Sequence, residues 1–203
     1  MAVKHDYLWI VTAVILLLYW ALLALFGGVD PYSLEGNFAL RVDELILGTG
    51  HLYTGYGIPF EPEGLLSTLP AVGTVIIGFY TGELTGKRSA GGKSVLKIFV
   101  IGVSLTGLGL LWNMIFPVNK ALWTSSYVLY SAGLGMILFS LIFWLADVLK
   151  FQRWGTFFTV FGINALVSYF LAGLWASFLT IILISVAGTE MSLYTWFYEK
   201  ICV

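Results

Sequence analysis

Apolar residues run at membrane length in four places along this chain: 8–26, about 65–84, about 96–116 and about 123–146. A helix needs ~20 such residues to cross a bilayer core, so each run is expected to span. A fifth run starts near Thr156 and continues through FFTVFGINALVSYFLAGLWASFLTIILISVAG without a polar break. It is too long for one upright helix and too short for two joined by a turn. That predicts a span over 156–174 followed by an interfacial or re-entrant C-terminal helix. The expected fold is an all-α integral membrane protein. It is read as a single membrane domain over residues 1–203, a polytopic bundle of five transmembrane helices plus that last helix, with six transmembrane helices as the alternative. The first run is longer than a signal-peptide core and no A-x-A site follows it, so it reads as a true span.

Polar residues concentrate between these runs. Residues 27–64 hold Asp30, Glu35, Asp43, Glu44, His51, Glu61 and Glu63 against the lone Arg41. Within them ALRVDELILG spaces its apolar residues as a short amphipathic helix on a membrane surface would. Residues 85–95 are basic. If Met1 is cytoplasmic, the inner segments carry Lys4, Lys87, Arg88, Lys93, Lys97, Lys150 and Arg153, and the outer ones only Arg41, Lys120 and Lys200. That is the positive-inside pattern, which makes 27–64 an outer loop and 85–95 an inner one. Trp9, Trp112, Trp123, Trp144 and Trp154 stand near predicted span ends, where interfacial tryptophans belong.

Composition agrees with a membrane setting and narrows the chemistry. The chain is 59% hydrophobic and 10% charged, with a mean hydropathy of +0.93; a soluble domain needs about 25% charged residues. No basic stripe points to nucleic acid. The lone cysteine, Cys202, allows no disulfide within the chain, and no Cys/His spacing predicts a metal site.

Several motifs read in more than one way. GKRSAGGKS (86–94) approaches a phosphate loop, but Lys87 stands where the first glycine is needed and a membrane helix replaces the preceding strand. It reads as a basic inner loop. In FEPEGLLSTLP, Pro62, Glu61 and Glu63 suit the first turn of a helix, where proline and acids are favoured, and equally suit the wall of a polar site. Pro70 falls inside that run and is expected to leave the carbonyl of Leu66 without a helical partner, with Ser67 and Thr68 near enough to help. The pairs Gly78/Gly82 and Ser131/Gly135 have small-xxx-small spacing and predict helix packing. PVNKALWTSSY is a polar turn entering a span, with Lys120 the basic residue on an acidic face. Asn164 in FGINALVSY falls inside its span, where an amide serves as helix–helix glue or as a functional group. His51 is an exposed loop histidine or an acid/base group beside Asp43.

FEPEGLLSTLP, GNFALRVDELILGTGHLY, PVNKALWTSSYVLY and FGINALVSY, in order, resemble the transmembrane acetyltransferases typified by heparan-α-glucosaminide N-acetyltransferase and their bacterial N-acetylglucosamine-related relatives. The resemblance covers the later half of that family's membrane domain of ten or eleven spans. It implies transfer of acetyl from acetyl-CoA to the amino group of a terminal glucosamine. The family's D-x-x-RG segment and catalytic histidine have no counterpart here, so this chain is expected to be a portion that is inactive alone and completed by an N-terminal half or partner subunit. Carried over by motif, the resemblance raises Asp43, His51, Tyr53, Pro62, Glu63, Gly64, Asn119, Lys120, Trp123, Ser126, Tyr127 and Asn164. Glu63, Asp43 and His51 become the catalytic candidates, since an outer carboxylate would bind an amino-sugar's ammonium or take its proton. Tyr53, Asn119, Lys120, Trp123, Ser126, Tyr127 and Asn164 become substrate-binding candidates, and Lys87, Arg88 and Lys93 would attract the phosphates of CoA. The bacterial inner membrane is the expected location. An amino-sugar transporter and a non-catalytic membrane subunit are the alternatives, and self-association stays open.

Overall fold

Leu8–Phe26 (α1) is apolar on every face, as a helix shared between lipid and protein must be. It buries only Thr12, Leu16, Tyr19 and Leu23, which recur every three or four residues and so form one stripe. The computed structural model describes residues 7–86, 91–152, 155–186 and 189–201. The chain divides into two units, residues 1–150 and 151–203.

In the first unit α1 is followed by the short helix α2 (Phe38–Leu47), then by α3 (Thr68–Gly86), α4 (Gly92–Trp112) and α5 (Ser125–Phe143), which continues as a π-helical turn to Val148. α4 and α5 form the closest pair. A Cβ at Gly102 would stand 2.9 Å from the carbonyl oxygen of Gly133, and one at Gly109 would stand 2.6 Å from the backbone nitrogen of Tyr130. These glycines let the two backbones meet, as small residues do between helices in lipid. The pairs that spacing alone singled out do not share this role: a Cβ at Gly78, Gly82 or Gly135 would meet open space.

Helix bounds differ from the apolar runs for identifiable reasons. α4 begins at Gly92, four residues ahead of the run, because Lys93 and Lys97 ride on its first turns; long basic side chains can reach polar surroundings from a helix end. α3 begins at Thr68, which corrects the reading of Pro70. As the third residue of its helix Pro70 has no intrahelical bond to lose, and the Leu66 carbonyl accepts from the Leu69 N–H at 3.1 Å. The hydroxyls of Ser67 and Thr68 bond the Gly64 carbonyl instead, at 2.9 and 3.1 Å.

Among the described residues three helices qualify as spans by length and apolarity: Leu8–Phe26, Gly92–Trp112 and Ser125–Val148. α3 is as long as α1, but Thr68, Pro70, Thr74, Thr81 and Glu83 dilute its apolar character.

The second unit departs most from expectation. The run over 156–174 is not one straight helix: α6 (Gly155–Ile163) and α7 (Ala165–Ile181) meet at a 90° bend. Asn164 occupies that bend, and the Val160 carbonyl receives both its backbone N–H at 3.2 Å and its side-chain amide at 3.0 Å. A side chain competing for a helix carbonyl in this way favours a break. Counted as one span, the bent pair raises the total to four, against five or six expected. Beyond α7 the chain is not purely helical. An antiparallel hairpin, β1 (Leu183–Val186) with β2 (Thr189–Ser192), pairs Leu183 with Ser192 and leads into α8 (Leu193–Ile201).

Candidate functional site

Three of the four motifs meet at one end of the first unit. Leu40 from α2, Leu52 and Phe60 from the loop after it, and Leu122 from the α4–α5 connection bury one another, flanked by Leu34, Ile58 and Ala121. Beneath them Tyr19 and Leu23 of α1 pack with Phe116, flanked by Trp20, Tyr32, Leu66 and Trp112. Burial of this apolar surface draws the polar loops into a defined layer.

α2 starts where it does because Asn37 caps it. The buried amide accepts from the Leu40 N–H at 2.7 Å and donates to the Ser33 and Leu34 carbonyls at 3.0 and 2.8 Å. The helix then presents Asp43, only 2% exposed, to the turn Glu61–Gly64, which a bond from Gly64 N–H to the Glu61 carbonyl closes at 3.2 Å. Oδ1 of Asp43 accepts from the Leu65 N–H at 2.8 Å, and Oδ2 lies where a Cβ on Gly64 would sit. Only glycine leaves room there. Burial pushes the Asp43 carboxyl above the usual carboxylate range; the Leu65 N–H pulls it back, and the charge of Glu61 pushes it up again.

The other catalytic candidates lie on the surface of this layer. Glu63 is exposed on the same turn, and its backbone N–H bonds the Glu61 carboxylate at 3.3 Å. Pro62 thus belongs to this turn and not to the start of α3. His51 is exposed, with Nδ1 2.9 Å from the Leu47 carbonyl. Tyr53 is 57% exposed and stands edge-on to Tyr56 at 6.0 Å, which in turn meets Phe60 at 5.7 Å.

The α4–α5 connection is held by its own polar side chains. Asn119 accepts from the Ala121 and Leu122 N–H groups at 2.9 and 3.3 Å, which makes it a turn-forming residue. Thr124 caps α5 by accepting from the Tyr127 N–H, takes the Asn119 N–H at 3.0 Å, and lies 3.1 Å from the buried Ser126 hydroxyl. Ser125 donates to the Leu16 carbonyl of α1 at 2.7 Å, and Tyr19 donates its hydroxyl to the Leu122 carbonyl. Trp123 has φ of 49°, a conformation few non-glycine residues adopt. Its indole donates to Thr74 of α3 at 3.4 Å and meets Tyr127 edge-on at 5.4 Å. Lys120 is exposed at the apex of the connection.

The structure therefore brings Asp43 against Gly64 and places Glu63, His51, Tyr53, Asn119, Lys120 and Trp123 on loops of the same unit, with Ser126 and Tyr127 in the first turn of α5. Asn164 lies in the second unit, exposed at the helix bend. Lys87 and Arg88 lie outside the described residues; Lys93 opens α4, ~30 Å of helix away from the layer. Among the described residues no three His, Cys, Asp or Glu side chains gather as a metal would require. Sequence reasoning missed Asn37, Thr124, Ser125 and Tyr19. The two caps were detectable as Asn and Thr standing just before apolar helical runs. The cross-helix bonds of Ser125 and Tyr19, 109 and 103 residues away in sequence, carried no local signal.

Long apolar helices topped by a loop layer with a buried carboxylate define a helical membrane protein. No protein-family model matches the chain. It is 29% identical over 163 residues to the human protein named heparan-alpha-glucosaminide N-acetyltransferase, covering 70% of this chain and 24% of that protein. The mouse protein of the same name is 27% identical over 150 residues, covering 66% of this chain and 23% of that one. The chain thus spans about a quarter of the length of the curated relatives it matches. The resemblance to this membrane acetyltransferase family is borne out as a partial match.

Proposed function

We propose that this chain forms part of a membrane acetyltransferase that moves the acetyl group of acetyl-CoA onto the amine of a glucosamine-type sugar. The observation that carries the reading is the convergence of three motifs shared with the family. GNFALRVDELILGTGHLY, FEPEG and PVNKALWTSS are far apart in sequence, yet Leu40, Leu52, Phe60 and Leu122 pack them against one another, and Asp43 accepts from the Leu65 N–H just after FEPEG. An amino-sugar reaches this layer as an ammonium and first gives one proton to a carboxylate, for which a carboxylate of raised proton affinity is the better acceptor. The freed amine nitrogen then attacks the thioester carbonyl carbon, the C–S bond breaks, and the second proton of the nitrogen passes to the departing thiolate, so that CoA leaves as its thiol. Asp43 takes the role of that carboxylate, while exposed Glu63 and Lys120 steer and orient the sugar, with Tyr53 as a stacking surface. His51 holds its ring against the Leu47 carbonyl and contributes shape. The remaining machinery comes from further membrane helices, in the same polypeptide or in a partner subunit. The working site is the bacterial inner membrane, with the loop layer outward.

The native assembly, captured through a tag on this chain and kept in nanodiscs, tests the reading. Incubated with acetyl-CoA and glucosamine, it should release N-acetylglucosamine detectable by mass spectrometry. Asp43→Asn should lower kcat more than it raises KM, whereas Glu63→Gln should act mainly on KM. An assembly that binds acetyl-CoA but acetylates no amino-sugar would refute the proposal. Counterflow of labelled glucosamine without CoA would favour a transporter instead.

A further inference from the structure

The loop that leaves α2 reads YTGYG over residues 53–57, and its two glycines serve different ends. Gly57 has φ of 81°, a conformation that favours glycine. Its N–H closes a β-turn onto the Thr54 carbonyl at 3.1 Å. Gly55, inside that turn, has a negative φ that alanine also adopts. What alanine lacks is room: a Cβ on Gly55 would fall on the ring and hydroxyl of Tyr53. The Tyr53 side chain therefore lies back over the Gly55 backbone, and Gly55 supplies its seat.

Further contacts fix the surroundings of this ring. The Phe60 N–H bonds the Tyr53 carbonyl at 2.8 Å and ties the two ends of the loop together. Tyr56 stands edge-on to Tyr53 with planes at 83°, and edge-on to Phe60 with planes at 89°. Phe60 belongs to the buried cluster beneath. A line of rings thus runs from the core to the surface and ends in two tyrosines, both more than a third exposed, that form an open corner. A merely solvated tyrosine keeps its rotamer freedom and needs no seat. Here the ordering is built in before any ligand arrives. That preorganisation matters for binding, since a side chain immobilised only by its ligand lowers affinity roughly two- to twelvefold.

The chemistry of the corner and of its neighbours selects an occupant. A tyrosine face is apolar and carries the negative end of a quadrupole, so it accepts C–H groups and cations. The turn Glu61–Gly64 begins one residue after Phe60 and leaves Glu63 exposed. Acids there attract a cation and repel an anionic lipid surface. A pyranose presents a face of axial C–H bonds, and an amino-sugar adds an ammonium at its edge. Resting on the acetyltransferase reading above, we propose that Tyr53 and Tyr56 form a corner that seats the pyranose ring of an amino-sugar, with Gly55 as the positioning residue that holds Tyr53 in place. Tyr56 thereby joins the residues that touch substrate, and Gly55 acts only through Tyr53.

Saturation-transfer NMR with methyl glucosaminide, on the native assembly in nanodiscs, tests this. Saturation should be strongest on the ring C–H protons of one face of the sugar. Gly55→Ala and Tyr56→Ala should each raise the Kd of the sugar about tenfold. Tyr56→Phe should keep it within about twofold, since the ring face and not the hydroxyl makes the contact. Gly50→Ala, whose Cβ would meet open space, should leave it unchanged. In a Tyr53→Ala background Gly55→Ala should have no further effect, because the ring it displaces is gone. That coupling separates positioning from general damage to the loop. In turnover, Gly55→Ala should raise KM for glucosamine and keep kcat within about twofold. Equal effects of Gly55→Ala in both backgrounds would overturn the proposal, as would a sugar that binds all variants alike or binds none of them. Sugar seated at this corner without acetyl transfer would uphold it while the acetyltransferase reading falls. Acetyl transfer with a KM indifferent to Gly55→Ala and Tyr56→Ala would do the reverse.

Discussion

Replacing Gly64 by alanine should unseat the loop layer, because the new methyl would occupy the position of Asp43 Oδ2. The carboxylate has little room to retreat: its residue is 2% exposed, and Oδ1 is tied to the Leu65 N–H at 2.8 Å. Overpacking a tight site costs about 1–3 kcal/mol, and losing a hydrogen bond to a charged group costs about 1.5–3 kcal/mol. The two are alternatives as much as sums, since swinging Asp43 away relieves the clash by breaking the bond. A net loss of about 2–4 kcal/mol is expected, which for a unit of ~150 residues lowers Tm by roughly 4–16 °C. Tryptophan fluorescence during thermal unfolding in a mild detergent measures this, since Trp20 and Trp112 lie beneath the layer. The decisive comparison is a double-mutant cycle. In an Asp43→Ala background the methyl enters space the carboxylate has vacated, so Gly64→Ala should cost less than half as much there. Equal costs in the two backgrounds, within ~0.5 kcal/mol, would refute the claim that Gly64 exists to admit Asp43.

Three further outcomes are expected. The folded-state pKa of Asp43 lies above its ordinary value of 3.8. The folded protein therefore holds an extra proton between the two values, and stability falls as pH rises through that window. Asp43→Asn lacks this slope, so Tm of wild type should drop relative to the variant as pH is raised from about 4; parallel Tm–pH curves would contradict it. Thr124→Ala removes the cap of α5 and the partner of the Asn119 N–H and should cost about 1–2 kcal/mol by denaturant titration, whereas Thr124→Ser should restore most of it. Gly133→Ala drives a methyl into the backbone of α4 at Thr106 and should destabilise by about 1–3 kcal/mol, whereas Gly78→Ala, facing open space, should stay within ~0.5 kcal/mol. Equal effects at the two glycines would mean that α4 and α5 do not pack as described.

The sequence by itself determined that this is a helical membrane protein, because apolar runs of bilayer length and a shortage of charge admit few other solutions. It also marked α2 as an amphipathic helix in a polar loop and carried, in four ordered motifs, a resemblance to the membrane acetyltransferases. Pattern reading went astray where one local signal has two tertiary meanings. A proline near an apolar run reads as a mid-helix break, yet Pro70 lies in a first turn because the loop layer holds the chain out of helix up to Ser67. An asparagine in a long run reads as helix–helix glue or as a functional group, and the structure places Asn164 exposed at a 90° bend. Glycines at four-residue spacing read as a packing face, yet Gly102, Gly109 and Gly133 make the contact. Only the tertiary structure could rank the acids. Asp43 and Glu63 are equivalent as letters, and 20 residues apart they give no hint of their order. The fold buries one against a glycine and an N–H and leaves the other exposed. That difference in desolvation depends on which surfaces meet, and so on contacts no local pattern encodes.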